Sequence, residues 1–245
     1  AFAGKGLDAR SRRVVIKTRL VVLKAAGPRS TAKHLRYIER DGVTKDGQSG
    51  QAYDAMREQA DIGTFEESGR GDRHQFRFIV SAEDAEALGD LHRFTRDLMG
   101  RMEADLGTRL DWVAVDHWDT DNPHTHVVLR GKDEMGRDLV IARDYISRGM
   151  RLRANELAIE WLGPRTEQEI RRAQLREVDQ ERWTGLDRTL QRIAKDGVVE
   201  RMMLADRDDR SLLIGRLQRL EVVDLADEGG SGRWRIRSDA ESVLR

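Results

Sequence analysis

Apolar and polar positions change period several times along the chain, and each change marks an element. Residues 13–23, RVVIKTRLVVL, concentrate β-branched side chains and predict a strand. GPRSTAKHLRYIERDG follows, where Ser30 or Thr31 can cap a helix that ends at Gly42. Residues 43–73 are rich in glycine and polar side chains. Apart from a short helix near DAMREQAD, they predict a long loop lying over a site. HQFRFIVS (74–81) alternates and predicts a second strand. Ser81 is then placed to cap a helix to about Gly107, with Glu83 and Asp84 in its first turn, where the helix dipole favours acids. RLDWVAVDH (109–117) and THVVLRG (125–131) predict a hairpin across the turn WDTDNP. DLVIA predicts a short strand, and RDYISRGMRLRANELAIEWLG a helix ended by Gly163. This order predicts an α+β domain over residues 1–164, built on a mostly antiparallel sheet, with its boundary near Pro164.

The pattern then changes. Residues 166–195 read as helical, with arginine on many faces, and RSLLIGRLQRLEVVDLA as an amphipathic helix. VVDLADEGGSGRWRIRS predicts strand, glycine-rich turn, strand. Helices followed by a hairpin outline a small winged-helix-like module over 165–245. Such modules either contact DNA or serve as packing domains. No internal repeat or low-complexity tract interrupts either region.

Composition narrows the class. Of 245 residues, 36% are charged and 38% hydrophobic, the balance of a well-solvated globular protein. No apolar run reaches the length of a membrane span and no signal-peptide pattern opens the chain, so the expectation is a cytoplasmic protein without membrane insertion. The absence of cysteine excludes disulfides and thiolate ligands and fits a reducing compartment. The chain starts at Ala1 rather than Met, as a fragment of a longer protein would. Net charge is zero, which argues at first against nucleic acid, but the charge is unevenly spread. Residues 1–50 hold 12 Lys/Arg against 4 Asp/Glu, a surplus of eight. That surplus outlines a local phosphate-binding face; the plainer reading is a solvated basic tail.

The densest chemistry is HWDTDNPHTHVVLRG, residues 117–131. Side chains alternate along a strand, so His124 and His126 point to one face, and a hairpin brings His117 beside them. Three imidazoles from two strands can hold one divalent metal and leave coordination positions open. Asp116, Asp119, Asp121 and Asn122 are near enough to orient the rings from behind. Neutral imidazoles suit Zn, Mn, Ni, Co or Cu better than Mg or Ca, but a substrate phosphate ligand shifts that preference, so Mn, Mg, Zn and Ni all stay open.

These residues also resemble a known family. The string H-x-D-x-x-x-P-H-x-H is similar to the three-histidine motif of conjugative relaxases of the P-type mobilisation class, members of the HUH endonuclease superfamily. HLRYIERDG resembles the relaxase segment that carries the nucleophilic tyrosine. The resemblance spans roughly residues 13–162. Thr125 departs from it by standing where the superfamily has a hydrophobe, and Arg130 by standing where relatives often have Asn. The resemblance implies an HUH palm domain in which His117, His124 and His126 bind one divalent metal. It implies that Tyr37 attacks a phosphodiester at a plasmid transfer origin, leaving a 5′-phosphotyrosyl link. It further implies transfer-origin DNA, single-stranded at the nick, accessory relaxosome proteins and a conjugative secretion system as partners.

The chain has three tyrosines, Tyr37, Tyr53 and Tyr145. A phenol of pKa near 10 needs help to attack phosphorus. Arg36 and Arg40 flank Tyr37, favour a phenolate and attract phosphate. His34, one turn earlier, is in reach of DNA or is an ordinary helix-surface histidine. Tyr145 is the rival, beside Arg143, Arg148 and Arg151, because replication initiators of the same superfamily place the tyrosine helix after the histidines. Its bland alternative is an aromatic anchor of the helix start. Tyr53 is expected in the polar loop, covering the site or touching DNA. Trp112 and Trp118 are candidates for stacking bases, Trp112 equally for the core. Arg73, Arg77 and Arg130 are candidate DNA contacts. Two rivals come from other classes: a phosphodiesterase that uses water in place of tyrosine, and a nonenzymatic DNA-binding protein with a structural metal.

Overall fold

The computed structural model describes residues 10–23, 30–39, 44, 48–120, 122–205, 207–230 and 232–245. The chain divides into two compact units, Ala1–Arg165 and Thr166–Arg245. In the first, β1 (Val14–Val22), β2 (Tyr53–Asp54), β3 (His74–Ala82), β4 (Trp112–His117) and β5 (His124–Arg130) form a five-stranded sheet. Its order is β1-β3-β5-β4-β2, and every neighbouring pair is antiparallel. The unit is therefore α+β with an antiparallel sheet.

Alternation sorts each strand between two faces. Phe76, Phe78, Val80, Trp112, Ala114, Val127 and Leu129 pack in one core with α3 (Ala85–Leu88), α4 (Leu91–Leu106) and α5 (Met150–Leu162). Val113, Val115 and Val128 pack in another with Leu35 and Ile38 of α1 (Ser30–Ile38) and Phe65 of α2 (Ile62–Gly69). α4 starts where the Asp90 carboxylate accepts the Arg93 N–H at 2.9 Å and ends at Gly107, whose φ of 67° is open to glycine without strain. Its buried Leu91, Phe94, Leu98 and Met102 recur at three and four residues, as a core-facing stripe must.

Several boundaries differ from the sequence pattern. β3 runs through Ala82, which pairs with Val14, so Ser81 is a strand residue and the expected helix from 81 opens as α3 and then α4 after Gly89. No helix forms at DAMREQAD. There the Asp54 carboxylate accepts the Met56 and Arg57 N–H groups in a tight turn, and α2 begins only after the Asp61 cap. The segment read as a loop thus supplies an edge strand and a helix. DLVIA makes no strand: Leu139 and Ile141 are buried in the core, and the nearby pairing is one isolated bridge between Lys132 and Asp138. The helix read from 143 opens as a π-helical turn, Tyr145–Gly149, in which a Cβ on Gly149 would stand 2.7 Å from the Tyr145 ring. The expected helix end at Gly42 lies outside the described residues.

In the second unit the region read as helical forms two helices, α6 (Glu167–Asp179) and α7 (Gly185–Ile193), opened by capping boxes at Thr166 and Thr184. β6 (Val198–Glu200), a short 3-10 turn (Arg201–Leu204), α8 (Arg210–Val222), β7 (Ala226–Glu228), β8 (Arg233–Ile236) and α9 (Ala240–Val243) follow. The sheet order is β6-β8-β7. Leu190, Leu213, Leu217 and Trp234 fill its core. Arg216 of α8 is 1% exposed; it donates to Asp187 at 2.7 and 2.9 Å and to the carbonyls of Val178, Gln180 and Arg182. This buried charge is compensated on every side, as burial requires. Among the described residues no helix is long and apolar enough to cross a membrane.

Candidate metal centre and its surroundings

The β4–β5 hairpin builds the site. His117 closes β4 opposite His124, and His126 lies opposite Val115, so all three imidazoles leave one face of two paired strands. One nitrogen from each ring lies within 4.8 Å of the others. Ring centroids are 4.5 to 5.2 Å apart. His117 is buried and the other two are half-buried.

Hydrogen bonds set the roles of the nitrogens. His117 Nε2 stands 2.7 Å from the carbonyl of Ile38, which can only accept, so the bond puts a proton on Nε2 and leaves Nδ1 with a lone pair. His124 Nδ1 donates likewise to the Asn122 carbonyl at 3.0 Å, leaving Nε2 free of a proton in the neutral ring. His124 Nε2 and His126 Nε2 face each other at 3.2 Å. Two imidazoles directed at one point, each tied back to a backbone carbonyl, with a third aimed at the same point, form a donor set that fits a borderline-soft divalent ion. The His117–His124–His126 group could hold a metal ion.

Backbone carbonyls orient the His117 and His124 rings. Asp119 is exposed in the turn, and Asp121 lies outside the described residues. Asp116, one residue from His117, points to the opposite face. There its Oδ1 accepts from Thr125 Oγ1 at 2.6 Å and Tyr53 OH at 2.9 Å, and its Oδ2 is 3.3 Å from His92 Nε2. Burial pushes the Asp116 carboxyl up, against the pull of those partners. Asp116 and Thr125 are paired in the register, directly behind the triad. The unusual threonine between the last two histidines is the partner of this buried acid.

The three tyrosines separate cleanly. Tyr37, on α1, is 63% exposed. Its neighbour Ile38 supplies the carbonyl that meets His117, so the end of the Tyr37 helix is fastened to the triad. Tyr53 is fully buried in β2, its ring stacked on His92 at 3.8 Å, and burial followed by the Asp116 charge raises its pKa. It does not sit in a loop over the site. Tyr145 packs in the core on the α4–α5 face, and its OH donates to Asp105 Oδ2 at 2.9 Å. Burial and that neighbouring carboxylate raise its pKa as well. Phenols held in this way are poor nucleophiles.

The remaining candidates also sort by face. His34 of α1 meets His126 edge-on with centroids 6.5 Å apart, so it looks into the site and not out to solvent. Burial, then Arg77 and Arg19, hold its pKa down to about 4. Arg77 lies on the triad face of β3, next to the His126 row, since Ile79 pairs with His126 and Arg77 with Val128. Arg36 is exposed on α1, and Arg40 lies outside the described residues. Arg130 stands at the far end of β5 and is fully engaged: Asp72 at 2.9 and 3.0 Å, Asp111 at 2.8 Å and the Ser68 carbonyl at 2.5 Å. It clasps α2 to the sheet. Arg73 lies at the same far end, exposed, 3.9 Å from Asp138. Trp112 is core on the opposite face, and Trp118 packs against that same core. Sequence reasoning missed Lys17 and Arg19, although alternation from the buried Val14 puts both on the triad face. Comparisons of the chain with protein-family models, with curated proteins and with solved structures find no match.

Proposed function

We propose that the chain is a metal-dependent DNA nicking and joining enzyme of the relaxase type, with an HUH-like palm as its first unit and Tyr37 as its nucleophile. One observation carries the reading: the backbone carbonyl beside Tyr37 is bonded to His117, while Tyr53 and Tyr145 are buried behind the sheet. That favours the relaxase order, tyrosine before histidines, over the initiator order that needs Tyr145. A divalent cation on the triad would neutralise charge on a scissile phosphate. Tyr37 forms its O–P bond as the bond from phosphorus to the 3′-oxygen breaks. The phenolic proton passes to solvent, and the departing 3′-oxygen takes one up. The product is a 5′-phosphotyrosyl link and a free 3′-hydroxyl. One phosphodiester replaces another, so the reverse attack can rejoin the strand without ATP.

The proposed substrate is plasmid transfer-origin DNA, single-stranded at the nick. Relaxosome proteins and a conjugative secretion system are the proposed partners, and the cytoplasm the proposed place of action. We read the second unit as winged-helix-like. Its order α7, β6, 3-10 turn, α8, β7, β8, with the last strand in the middle of the sheet, supports this.

The test is incubation with transfer-origin oligonucleotides and metal, followed by denaturing electrophoresis. A covalent protein–DNA adduct is expected from the wild type and from Tyr145→Phe and Tyr53→Phe, and a loss of orders of magnitude from Tyr37→Phe. An adduct from Tyr37→Phe that Tyr145→Phe lacks overturns the assignment. Cleavage by all three variants makes water the nucleophile.

A further inference from the structure

Two strands of the first unit bring positive charge together beside the triad. β1 is an edge strand of the sheet, and its Lys17 and Arg19 point to the triad face, both exposed. Arg19 stands directly across from Arg77 of β3. Like charges placed opposite one another destabilise a strand pair. Burial and the neighbouring Arg19 both lower the pKa of Arg77, which registers the repulsion. Gln75, two residues along, is buried and linked to Thr31 at 2.8 Å. With its amide turned so that nitrogen donates to Thr31, its oxygen accepts from Arg77 at 2.5 and 2.7 Å. A neutral amide thus helps to position the guanidinium. Among the described residues no carboxylate forms an ion pair with Lys17 or Arg19, whereas arginines elsewhere in the unit are matched, Arg130 and Arg153 among them.

We propose that Lys17, Arg19 and Arg77 form a cationic ledge that binds the phosphodiester backbone of a single strand running from the triad across β3 to the β1 edge. The site rests on the DNA-nicking reading and adds the path of the strand to it. The chemistry fits: guanidinium and ammonium groups bind phosphate oxygens through charge-assisted hydrogen bonds. Lys17 and Arg19, two residues apart on one face, are separated by roughly 6.6 Å of strand, so they can meet successive phosphates. An arriving phosphate also relieves the Arg19–Arg77 repulsion. Positive charge held against its own repulsion and open to solvent is what an anion site requires before its ligand arrives.

The experiment uses the full chain carrying Tyr37→Phe in metal-free buffer with chelator, so that nothing is cut. Binding of a labelled oligothymidylate is followed by fluorescence anisotropy over a range of salt. Lys17→Gln with Arg19→Gln is expected to weaken binding about tenfold and to flatten the log–log salt slope by roughly 1.4, two contacts at about 0.7 each for single strands. Its melting temperature should be equal to the parent's or higher, because a repulsion has been removed. Arg101→Gln with Arg151→Gln, on α4 and α5 behind the sheet, is the charge-matched control and should change neither affinity nor slope. Unchanged binding by the double variant, or a loss no greater than the control's, overturns the ledge. A loss seen with phosphatidylserine vesicles but not with the oligonucleotide also overturns it, in favour of a lipid surface. The assay needs no adduct, so failure of the ledge and failure of the tyrosine reading are separate results.

Discussion

The two faces of the five-stranded sheet hold polar clusters one residue apart in sequence and opposite in character. Behind the sheet, Asp116, Tyr53, Thr125 and His92 are bonded to one another, and His92 Nδ1 lies 3.0 Å from Glu58 Oε2. In front, three imidazoles point at one another, with His34, Arg77 and Arg19 close by. The rear cluster is complete without any ligand. The front cluster gathers imidazole nitrogens and positive charge on one face. Buried polar groups normally satisfy each other.

That contrast can be broken from either side. The largest effect belongs to the rear. Asp116→Ala leaves two hydroxyls without their acceptor beside His92, and about 3 kcal/mol of stability should go, read by denaturant unfolding. His124→Ala with His126→Ala, in metal-free buffer, should cost less than about 1 kcal/mol, since it dissolves a cluster of like groups. A comparable loss from both would erase the distinction.

Metal sharpens it next. An ion at 100 times its Kd should stabilise the wild type by about 2.7 kcal/mol, and the double histidine variant not at all, as seen by thermal melting and elemental analysis. Unaltered occupancy in the double variant would move the site. Thr125→Val, which removes one bond to Asp116 while keeping the side-chain shape, should cost about 1 kcal/mol, and Thr125→Ser should restore most of it.

The smallest effect again tests the rear. Arg153 bonds Asp105 at 2.7 and 2.8 Å and holds its carboxyl below its usual 3.8. A depressed acid contributes stability that is full above the unfolded value and is lost as pH falls through the folded one. Acid unfolding profiles should therefore decline below about pH 4, and Arg153→Gln should make that decline shallower. An identical profile would show that Asp105 is not linked to folding.

Some of the site was legible in the sequence. His-x6-His-x-His across a turn places three imidazoles on one face because the period of a strand is two and a hairpin fixes the pairing. β3 follows from alternation, and β4 and β5 from two strand-like runs on either side of one turn. The elements that failed were those decided by contacts distant in the chain. β2 exists because Tyr53 and Asp54 find the open edge of β4, and Leu139 and Ile141 are buried without a strand because the core accepts them as they pass.

The sequence by itself determined the donor set, the absence of thiol ligands and the face on which the histidines meet, since residue identity and strand period are local properties. Only the tertiary structure sets the tyrosines apart, because exposure and neighbours are properties of packing. Tyr37 stays in solvent beside the Ile38 carbonyl that binds His117, while Tyr53 and Tyr145 are drawn into the core and bonded to Asp116 and Asp105. It likewise turned Asp116 away from the three histidines and engaged Arg130 with Asp72 and Ser68 at α2. A charge near a motif in sequence acts on it only if the fold aims both at the same side of the sheet.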